Sequence, residues 1–328
     1  MLRTRITELF DLRYPVISAP MAMHSGGTLA AAVSRAGGLG TFGGINPAGP
    51  DWVREQIRQI RSQTDRAFGM GFITAFIPVF AQHFELALSE RVPVIIFSFG
   101  EPGAAVGLAK SAGAKVVCQV QAIELARQAV ESGADALIVQ GNEAGGHTGT
   151  EELLPLLFAA REQFPHMPIA AAGGISDGRT LAAALASGAD GASMGTAFIA
   201  TPEAIEVPDS YKQRIVESDG FDTVYTEVFD IVAGLPWPPG IAGRVYRNRF
   251  AQEWHGREDE LRNHLEELAP AFAEAEQRHD TDIAAVYMGT GARAIDAIRP
   301  AADVLRSVCD EAERLLRDPL DRADQTLQ

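Results

Sequence analysis

One ten-residue segment, from Gln140 to Gly149, concentrates the residue types that chemistry needs. It follows an apolar run at 136–139 and contains four glycines, the carboxylate of Glu143 and the imidazole of His147. Glycine lets the backbone approach a ligand closely, and a histidine on such a loop suits general-base work at neutral pH. A strand, a glycine turn and then a histidine are typical of an active site at a strand's C-terminal end. The segment therefore predicts that His147 is catalytic.

Two further glycine sites predict a place for a phosphate. Gly173 and Gly174 follow the seventh of the strands counted below, and Gly195 and Thr196 lie near the end of the eighth. In (β/α)8 enzymes the loops after these two strands frequently bind a phosphate, and the N–H groups at a helix N-terminus favour an anion. Asp177 is of the type that caps the helix that follows. Glycine doublets also occur in ordinary tight turns, but their placement after both strands favours the anion site.

Other residues at the same rim have two interpretations each. Met21, which ends the first predicted strand, suits the face of a flat ring because its thioether is adaptable, but a core methionine is the alternative. Cys118 could contact a cofactor or be a buried thiol, and Glu143 could be a base or an acceptor that fixes the loop. Three arginines could grip an anionic group or form a solvated basic face: Arg244, Arg247 and Arg249.

A repeated signal predicts the elements that position these residues. Four alanine-rich helical stretches each close on a serine and a glycine, and a short apolar run follows each of them. The glycines are expected to be left-handed residues that end helices: Gly37, Gly113, Gly133 and Gly188. The apolar runs indicate strands buried on both faces, as in parallel sheets. Helices that alternate with such strands indicate βα units.

Eight strands can be counted, and they predict an α/β fold of the (β/α)8 TIM-barrel class. The predicted strands are residues 16–19, 38–42, 67–73, 92–97, 115–120, 136–139, 169–172 and 192–198. A doubly wound open sheet is the alternative, but it usually has fewer strands and an early dinucleotide fingerprint. The early glycines at 37–40 lead into a strand instead of leaving one, so we prefer the barrel.

The alternation of strands and helices stops near Thr201, which predicts a mainly helical insertion after the eighth strand. We expect residues 1–200 and 291–328 to form the barrel, and residues 201–290 to cover its mouth as a lid. Helical patterns are expected at 258–275 and 294–317, and the stiff proline-rich stretch at 235–240 offers Trp237 as a wall for a modest apolar substrate pocket. The last eight residues, 321–328, are expected to be frayed.

Composition excludes several classes of protein. The 328 residues carry 28 Lys and Arg against 43 Asp and Glu, a net charge of −15, so a basic nucleic-acid footprint is absent and binding to an anionic membrane is disfavoured. No apolar run reaches the ~18 residues of a membrane span, and no signal-peptide pattern is present. Two cysteines cannot make a disulfide framework, which suggests a cytoplasmic protein. His255 and His264 lack metal-ligand spacing, so no metal site is expected.

Three segments together resemble the signature segments of the nitronate monooxygenases, once called 2-nitropropane dioxygenases. They are residues 15–22, 140–149 and 171–201, and the flavin-dependent enoyl-ACP reductases of bacteria share them. The similarity extends to residues 243–249 and the final helix. It implies an FMN-binding barrel whose phosphate lies on the loops after strands seven and eight, with His147 facing the reactive N5 region. The cofactor-binding residues that it implies are Ala19, Pro20, Met21, Ala22, Gly71, Gln119, Gln140, Gly145, Gly146, Ala172, Gly173, Gly174, Ser193, Met194, Gly195 and Thr196.

Two positions depart from the pattern of that family. Gly71 stands on strand three where many members have an asparagine near the flavin, and Ser193 stands where a glutamine usually precedes Met-Gly-Thr. Both changes remove a side-chain amide that could hydrogen-bond to the flavin or to the substrate. FMN binding is still expected, but the particular reaction stays open.

Three functions compete on the sequence. The first is an FMN-dependent oxidoreductase of the nitronate monooxygenase type, which oxidises nitronates or nitroalkanes with O2 to a carbonyl compound and nitrite. The second also uses FMN but takes electrons from NAD(P)H to reduce an enoyl thioester or a quinone. The third is a non-catalytic module that binds a flavin or a nucleotide, disfavoured because His147 stands on a loop otherwise built from small residues. The expected partners are a small-molecule substrate with O2 or NAD(P)H; a homodimer, like the physiological substrate, is left open.

Overall fold

The computed structural model describes residues 2–317, and a set of short parallel strands forms its centre. In chain order the strands are β1 Val16–Ser18, β2 Gly40–Gly43, β3 Phe68–Ile73, β4 Val94–Ser98, β5 Lys115–Val120, β6 Ala136–Gln140, β7 Gly146–Thr148, β8 Ile169–Ala172, β9 Gly191–Met194, β10 Thr223–Thr226 and β11 Ala242–Tyr246.

Helices cover the outside of this sheet and make up much of the later chain. They are α1 Arg5–Phe10, α2 Gly27–Ala36, α3 Pro50–Gln63, α4 Ala81–Ser89, α5 Ala104–Ser111, α6 Ile123–Glu131, α7 Leu153–Gln163, α8 Gly178–Ala186, α9 Thr196–Ile199, α10 Asp209–Val216, α11 Val228–Ala233, α12 Arg249–Trp254, α13 Glu258–Asn263, α14 Leu265–Gln277 and α15 Ala301–Arg317. Two 3₁₀-helices lie at Thr74–Phe76 and Thr290–Ala294.

Eight of the strands form the predicted (β/α)8 barrel. Their order is β1-β9-β8-β6-β5-β4-β3-β2, and every neighbouring pair is parallel. The barrel closes between β1 and β2, where Ile17 bridges Leu39 and the Ser18 N–H donates to the Leu39 carbonyl at 3.0 Å. The strands counted seventh and eighth in the sequence are β8 and β9.

Seven of the eight predicted strands lie within two residues of the observed bounds, but the end of the eighth is wrong. The predicted strand at 192–198 stops at Met194, and α9 begins two residues later. Residues 197–199 are Ala, Phe and Ile, and all three are buried. A short, wholly buried apolar run has no periodicity that distinguishes a helix from a strand, which explains the error.

Alternation along the strands separates two apolar layers. Side chains such as Ile17, Val117 and Ile138 fill the barrel interior, where Ile6 and Phe10 of α1 join them. Alternate residues of the same strands face outward and pack under the helices in a second, larger cluster. This arrangement follows from the two-residue period of a strand whose two faces are both buried.

The left-handed glycines predicted to separate helices from strands are confirmed. Gly37, Gly113, Gly133 and Gly188 have φ values of 106°, 90°, 93° and 101°. An L-residue with a Cβ is strained in this conformation, so these positions fix where each helix turns back into the sheet.

A smaller antiparallel sheet and a third apolar cluster follow the barrel strands. β11 pairs with β10 on one side and with β7, which comes from the loop after β6, on the other. A separate core, drawn from residues between 224 and 285, contains Phe229, Phe250 and Phe272. Residues 204–215 instead contribute to the cluster around the barrel. The division into a barrel of 1–200 with 291–328 and an insertion of 201–290 stays a prediction.

Two helical predictions after residue 201 need correction. The pattern at 258–275 forms two helices that meet at His264, and the second contains Pro270. The pattern predicted at 294–317 is helical only from Ala301, just after Pro300, because a proline restricts the preceding residue to extended conformations. The prediction for 321–328 lies outside the described residues. No helix within residues 2–317 is long and apolar enough to cross a membrane.

Candidate active site

A cavity of about 400 Å³ lies at the C-terminal ends of the barrel strands. All but one of the residues predicted for the site line it. They are Ala19, Pro20, Met21, Ala22, Gly71, Gln119, Gln140, Gly145, Gly146, His147, Ala172, Gly173, Gly174, Ser193, Gly195 and Thr196. The structure thus brings together segments that the sequence spreads over more than 170 residues.

Met194 is the exception, and its place follows from strand alternation. Ser193 lines the cavity, whereas the next side chain along β9, Met194, is buried in the cluster under the helices. Cys118 lies in the same outer cluster and does not line the cavity. Burial raises the pKa of the Cys118 thiol to about 12, so this residue is a packed thiol and not a nucleophile.

Of the two glycine loops predicted to hold a phosphate, the one after β8 adopts a conformation that favours glycine. Gly173 has a φ of 115° and Gly174 a φ of 68°, both in the left-handed region. A Cβ on Gly174 would lie 3.2 Å from the Thr290 hydroxyl oxygen. The Thr196 hydroxyl accepts from the Gly289 N–H at 3.1 Å, so the 3₁₀ segment after residue 289 closes this end of the cavity.

Helix α8 begins directly after these glycines, and its predicted N-cap is confirmed. The Asp177 carboxylate accepts from the Thr180 N–H at 2.8 Å. Burial acts to raise the pKa of Asp177, but the hydrogen bonds from Thr180 and Arg179 prevail and hold it below its usual range. The capped first turn keeps the loop of residues 173–176 in place.

The histidine-bearing loop is held by its own polar groups. The Gln140 side-chain amide donates to the His147 carbonyl at 3.1 Å, and both carboxylate oxygens of Glu143 accept from the Leu153 N–H at 3.1 and 3.2 Å. Arg244 donates through Nε to the Asn142 carbonyl at 2.6 Å. Of the two interpretations of Glu143, a base or an acceptor that fixes the loop, these contacts support the second. Arg244 also hydrogen-bonds to the loop and helps to hold it.

His147 itself contacts residues from later in the chain, among them Asp230 and Trp237. Its Nε2 lies 2.8 Å from Asp230 Oδ1, and only 12% and 8% of the two side chains is exposed. Its ring stacks on Trp237, with centroids 3.8 Å apart and planes 16° apart. Trp237, which was predicted to be a wall of the pocket, lies against the histidine. Asp230 was not predicted, because no sequence pattern indicated it.

Two further polar rings, His24 and Tyr287, line the cavity without having been predicted. His24 hydrogen-bonds through Nδ1 to the Ala22 carbonyl at 3.0 Å, and its ring meets the edge of Tyr287 at 5.8 Å. Burial lowers the pKa of His24 and raises the pKa of Tyr287. Both groups are therefore uncharged near neutral pH.

Aromatic side chains form one wall of the cavity. Trp237 meets the edges of Phe76 and Phe99 at 5.5 and 5.1 Å, and Phe80 and Leu235 extend the same surface. Among the residues that the structure describes, no Asp, Glu, Lys or Arg lines the cavity. The space beside His147 is therefore suited to an uncharged, largely apolar molecule.

The residues present fit a flavin mononucleotide. Glycine loops for its phosphate and Met21 for a ring face lie in one cavity. The Ser193 hydroxyl is buried in the cavity wall without a hydrogen-bond partner, and a buried polar atom of this kind calls for one from an occupant. The absence of a side chain at Gly71 has a local reason: a Cβ there would lie 2.4 Å from Pro20 Cβ. Within residues 2–317, no group of three or more His, Cys, Asp or Glu could hold a metal ion.

Comparisons with known proteins agree with this fold. The family model described as nitronate monooxygenase matches residues 3–78 and 72–311. The chain is 34% identical to FabK from Thermotoga maritima, with a TM-score of 0.86 and coverage of 97% of this chain and 98% of that one. It is 29% identical to a nitroalkane oxidase from Streptomyces ansochromogenes, with a TM-score of 0.81 and coverage of 96% and 99%.

A curated relative carries a different name. The chain is 38% identical over 238 residues to the (3aS,4S,5R,7aS)-5-hydroxy-7a-methyl-1-oxo-octahydro-1H-indene-4-carboxyl-CoA dehydrogenase of Mycobacterium tuberculosis. That match covers 72% of this chain but 65% of the relative, so it spans slightly less than two thirds of the relative's length.

Proposed function

The chain belongs to the nitronate monooxygenase family, and on that premise we propose that it is an FMN-dependent oxidoreductase that oxidises nitronates or nitroalkanes with O2 to a carbonyl compound and nitrite. The observation that carries the proposal is His147, presented by a glycine loop to a cavity that the left-handed glycines Gly173 and Gly174 also line. These glycines would hold the phosphate, and the hydroxyl of Ser193 would gain its missing partner from the flavin.

Each part of the cavity has a separate task in this reaction. When bound, FMN supplies the transfer of electrons from the substrate to O2. His147 takes the proton from the carbon next to the nitro group, and the aromatic wall around Trp237 holds the hydrocarbon part and excludes water. The lining carries no Asp, Glu, Lys or Arg among the described residues, so the negative charge that develops on the nitro group is paired with His147 once the imidazole has taken the proton.

A second candidate keeps FMN but takes electrons from NAD(P)H and reduces an enoyl thioester or a quinone. The similarity to FabK and to a dehydrogenase named for a CoA thioester favours it. The part of the cavity beside His147 opposes it, because the phosphates of a nucleotide or thioester carrier would meet the aromatic rings around Trp237 there, with no Lys or Arg among the described lining residues to pair with them. A quinone, which is flat and uncharged, fits the aromatic wall better than a thioester does.

Anaerobic mixing separates the two candidates. The purified protein is expected to be yellow, and a nitronate should bleach its flavin quickly while NADH and NADPH should not. Rapid bleaching by a nicotinamide cofactor, with no response to the nitronate, would favour the second candidate. A protein that contains no flavin when purified would contradict both.

His147→Ala tests the role of the histidine. The variant should keep its flavin, because backbone glycines and not the imidazole would hold the phosphate. Turnover of a neutral nitroalkane should fall by roughly 10²–10⁴, the usual contribution of a positioned acid–base group. A preformed nitronate has already lost its proton, so its turnover should fall much less. Wild-type turnover of both substrates would show that His147 is not the base.

A further inference from the structure

Asp230 carries a buried carboxylate that hydrogen-bonds to one side chain, that of His147. It lies on α11 and is 6% exposed, and its Oδ1 is 2.8 Å from His147 Nε2. Among residues 2–317, no other side chain hydrogen-bonds to this carboxylate. A buried charge is costly unless it is paired, so the carboxylate and the imidazole must be considered together.

The pairing fixes which ring nitrogen carries the proton. An ionised carboxylate only accepts hydrogen bonds, so the bond to Asp230 requires a proton on Nε2 of His147. In a neutral imidazole the other nitrogen then holds a lone pair. That atom, Nδ1, has no hydrogen-bond partner among the described residues, and the side chain lines the cavity.

We infer that Asp230 is the positioning residue of His147: it holds the proton on Nε2 and so leaves Nδ1 as the atom that takes the substrate proton. This inference rests on the proposed function, because it concerns the same proton transfer. Asp230 does not line the cavity and so acts through the histidine instead of on the substrate.

The ring needs this hydrogen bond because its other contacts leave two orientations open. Stacking on Trp237 at 3.8 Å fixes the plane of the imidazole, and Tyr287 lies 5.6 Å away on a tilted ring. Neither contact distinguishes the ring from one rotated by half a turn about its bond to Cβ. The carboxylate does distinguish them, because it accepts a proton on one side of the ring only.

The same carboxylate also stabilises the charge that the reaction creates. As the proton leaves the carbon next to the nitro group, the C–H bond breaks and a bond to Nδ1 forms. The electron pair stays on the substrate and delocalises onto the nitro oxygens, which gives the nitronate. His147 becomes positively charged beside Asp230, and the neutral–anionic pair becomes an ion pair at 2.8 Å. Such preorganised charge stabilisation is strongest in a site from which water is excluded.

A double-mutant cycle tests the inference. Asp230→Asn should lower kcat/KM for a neutral nitroalkane by about 10²-fold or more, because the amide can donate to Nε2 and so place the proton on Nδ1. Flavin content should not change, and turnover of a preformed nitronate should change only a few-fold. In a His147→Ala background, Asp230→Asn should have almost no further effect. With His147 present, Asp230→Glu should keep part of the activity that Asp230→Asn loses, because a carboxylate at this position can still accept from Nε2.

Phe229→Leu is the matched control. It alters the neighbouring buried residue of the same helix without touching His147. It should lower stability but leave the ratio of nitroalkane to nitronate turnover unchanged. Additive losses in the cycle, or an equal loss on both substrates in Asp230→Asn, would show that Asp230 only supports the fold.

A second readout does not depend on turnover. In ¹⁵N-labelled protein, NMR should show His147 with its proton on Nε2, and this signal should disappear in Asp230→Asn. A wild-type proton on Nδ1 would overturn the inference whatever the activity. If instead His147→Ala leaves nitroalkane turnover unchanged while the Nε2 proton is present, the proposed role of His147 as base fails, whereas the hydrogen bond by which Asp230 keeps the proton on Nε2 stands.

Discussion

At the scale of single residues, the cavity joins two kinds of group. Glycines at 173, 174 and 195 contribute bare backbone to its lining, and His147 contributes a titratable ring. The unpartnered hydroxyl of Ser193 lines the same cavity. Backbone N–H groups bind an anion without needing a charged side chain, which is consistent with a lining that contains no Lys or Arg among the described residues.

Gly174 tests the phosphate end of the cavity. Gly174→Val should empty the flavin site, because a side chain there blocks the approach of backbone to phosphate and the φ of 68° strains an L-residue. Gly174→Asn tolerates this φ better but also places atoms in the cavity, so it should lose flavin while keeping more stability. The ratio of visible to protein absorbance after purification measures flavin content.

Gly107→Ala is the control for this substitution, since a Cβ there meets nothing within 4 Å. It should retain full flavin content. If Gly174→Val kept a full complement of flavin, the phosphate would have to lie elsewhere.

At the scale of elements, the sequence predicts those helices and strands whose bounds are set by residues close by in the chain. The barrel strands are buried apolar runs entered through left-handed glycines such as Gly113 and Gly133, and both signals are local. The predicted cap at Asp177 is local in the same way. Prediction failed at 197–199, where burial on all sides removes the periodicity, and at 294–300, where Pro300 delays the start of α15.

Asp177→Ala tests the cap that holds the loop of 173–176. The substitution should cost about 1 kcal/mol and lower Tm by about 2 °C. The pKa of Asp177 is below its usual range in the folded state, so its contribution is complete above the unfolded pKa of ~3.9. The contribution is lost as pH falls through the lower folded pKa. The difference in Tm between wild type and variant should therefore shrink below about pH 4.

The control is Asp51→Ala, which removes an acidic residue from the first turn of another helix, α3, where 91% of the side chain is exposed. It should change Tm by less than half as much. A difference for Asp177→Ala that persisted at acidic pH would mean that the carboxylate does not provide the stabilisation.

At the scale of the whole molecule, the site is assembled from distant parts of the chain. His147 belongs to the loop after β6, while Asp230 and Trp237 come from the segment that follows the barrel strands. The small sheet links the two, because β11 pairs with β7 and places Gly243 opposite His147. Asp230 is 83 residues from its partner, and no spacing rule connects positions so far apart. The sequence could therefore indicate the histidine but not its carboxylate.

We expect this later segment to cover the barrel mouth and to select the substrate by its hydrocarbon part. Trp237 stacks on His147 and meets Phe76 and Phe99. In the series from nitroethane to nitrohexane, kcat/KM should rise by up to about fourfold per methylene, which corresponds to the free energy gained when one methylene group is buried. Trp237→Ala should flatten this rise, while Phe158→Ala, an exposed ring outside the cavity, should leave it unchanged. Steady-state kinetics under air measure the series.

A nitroalkane that carries a carboxylate should be a poor substrate, since the cavity offers no cation to pair with it among its described residues. A flat series in the wild type, or a preference for the charged substrate, would show that the aromatic wall does not bind the substrate.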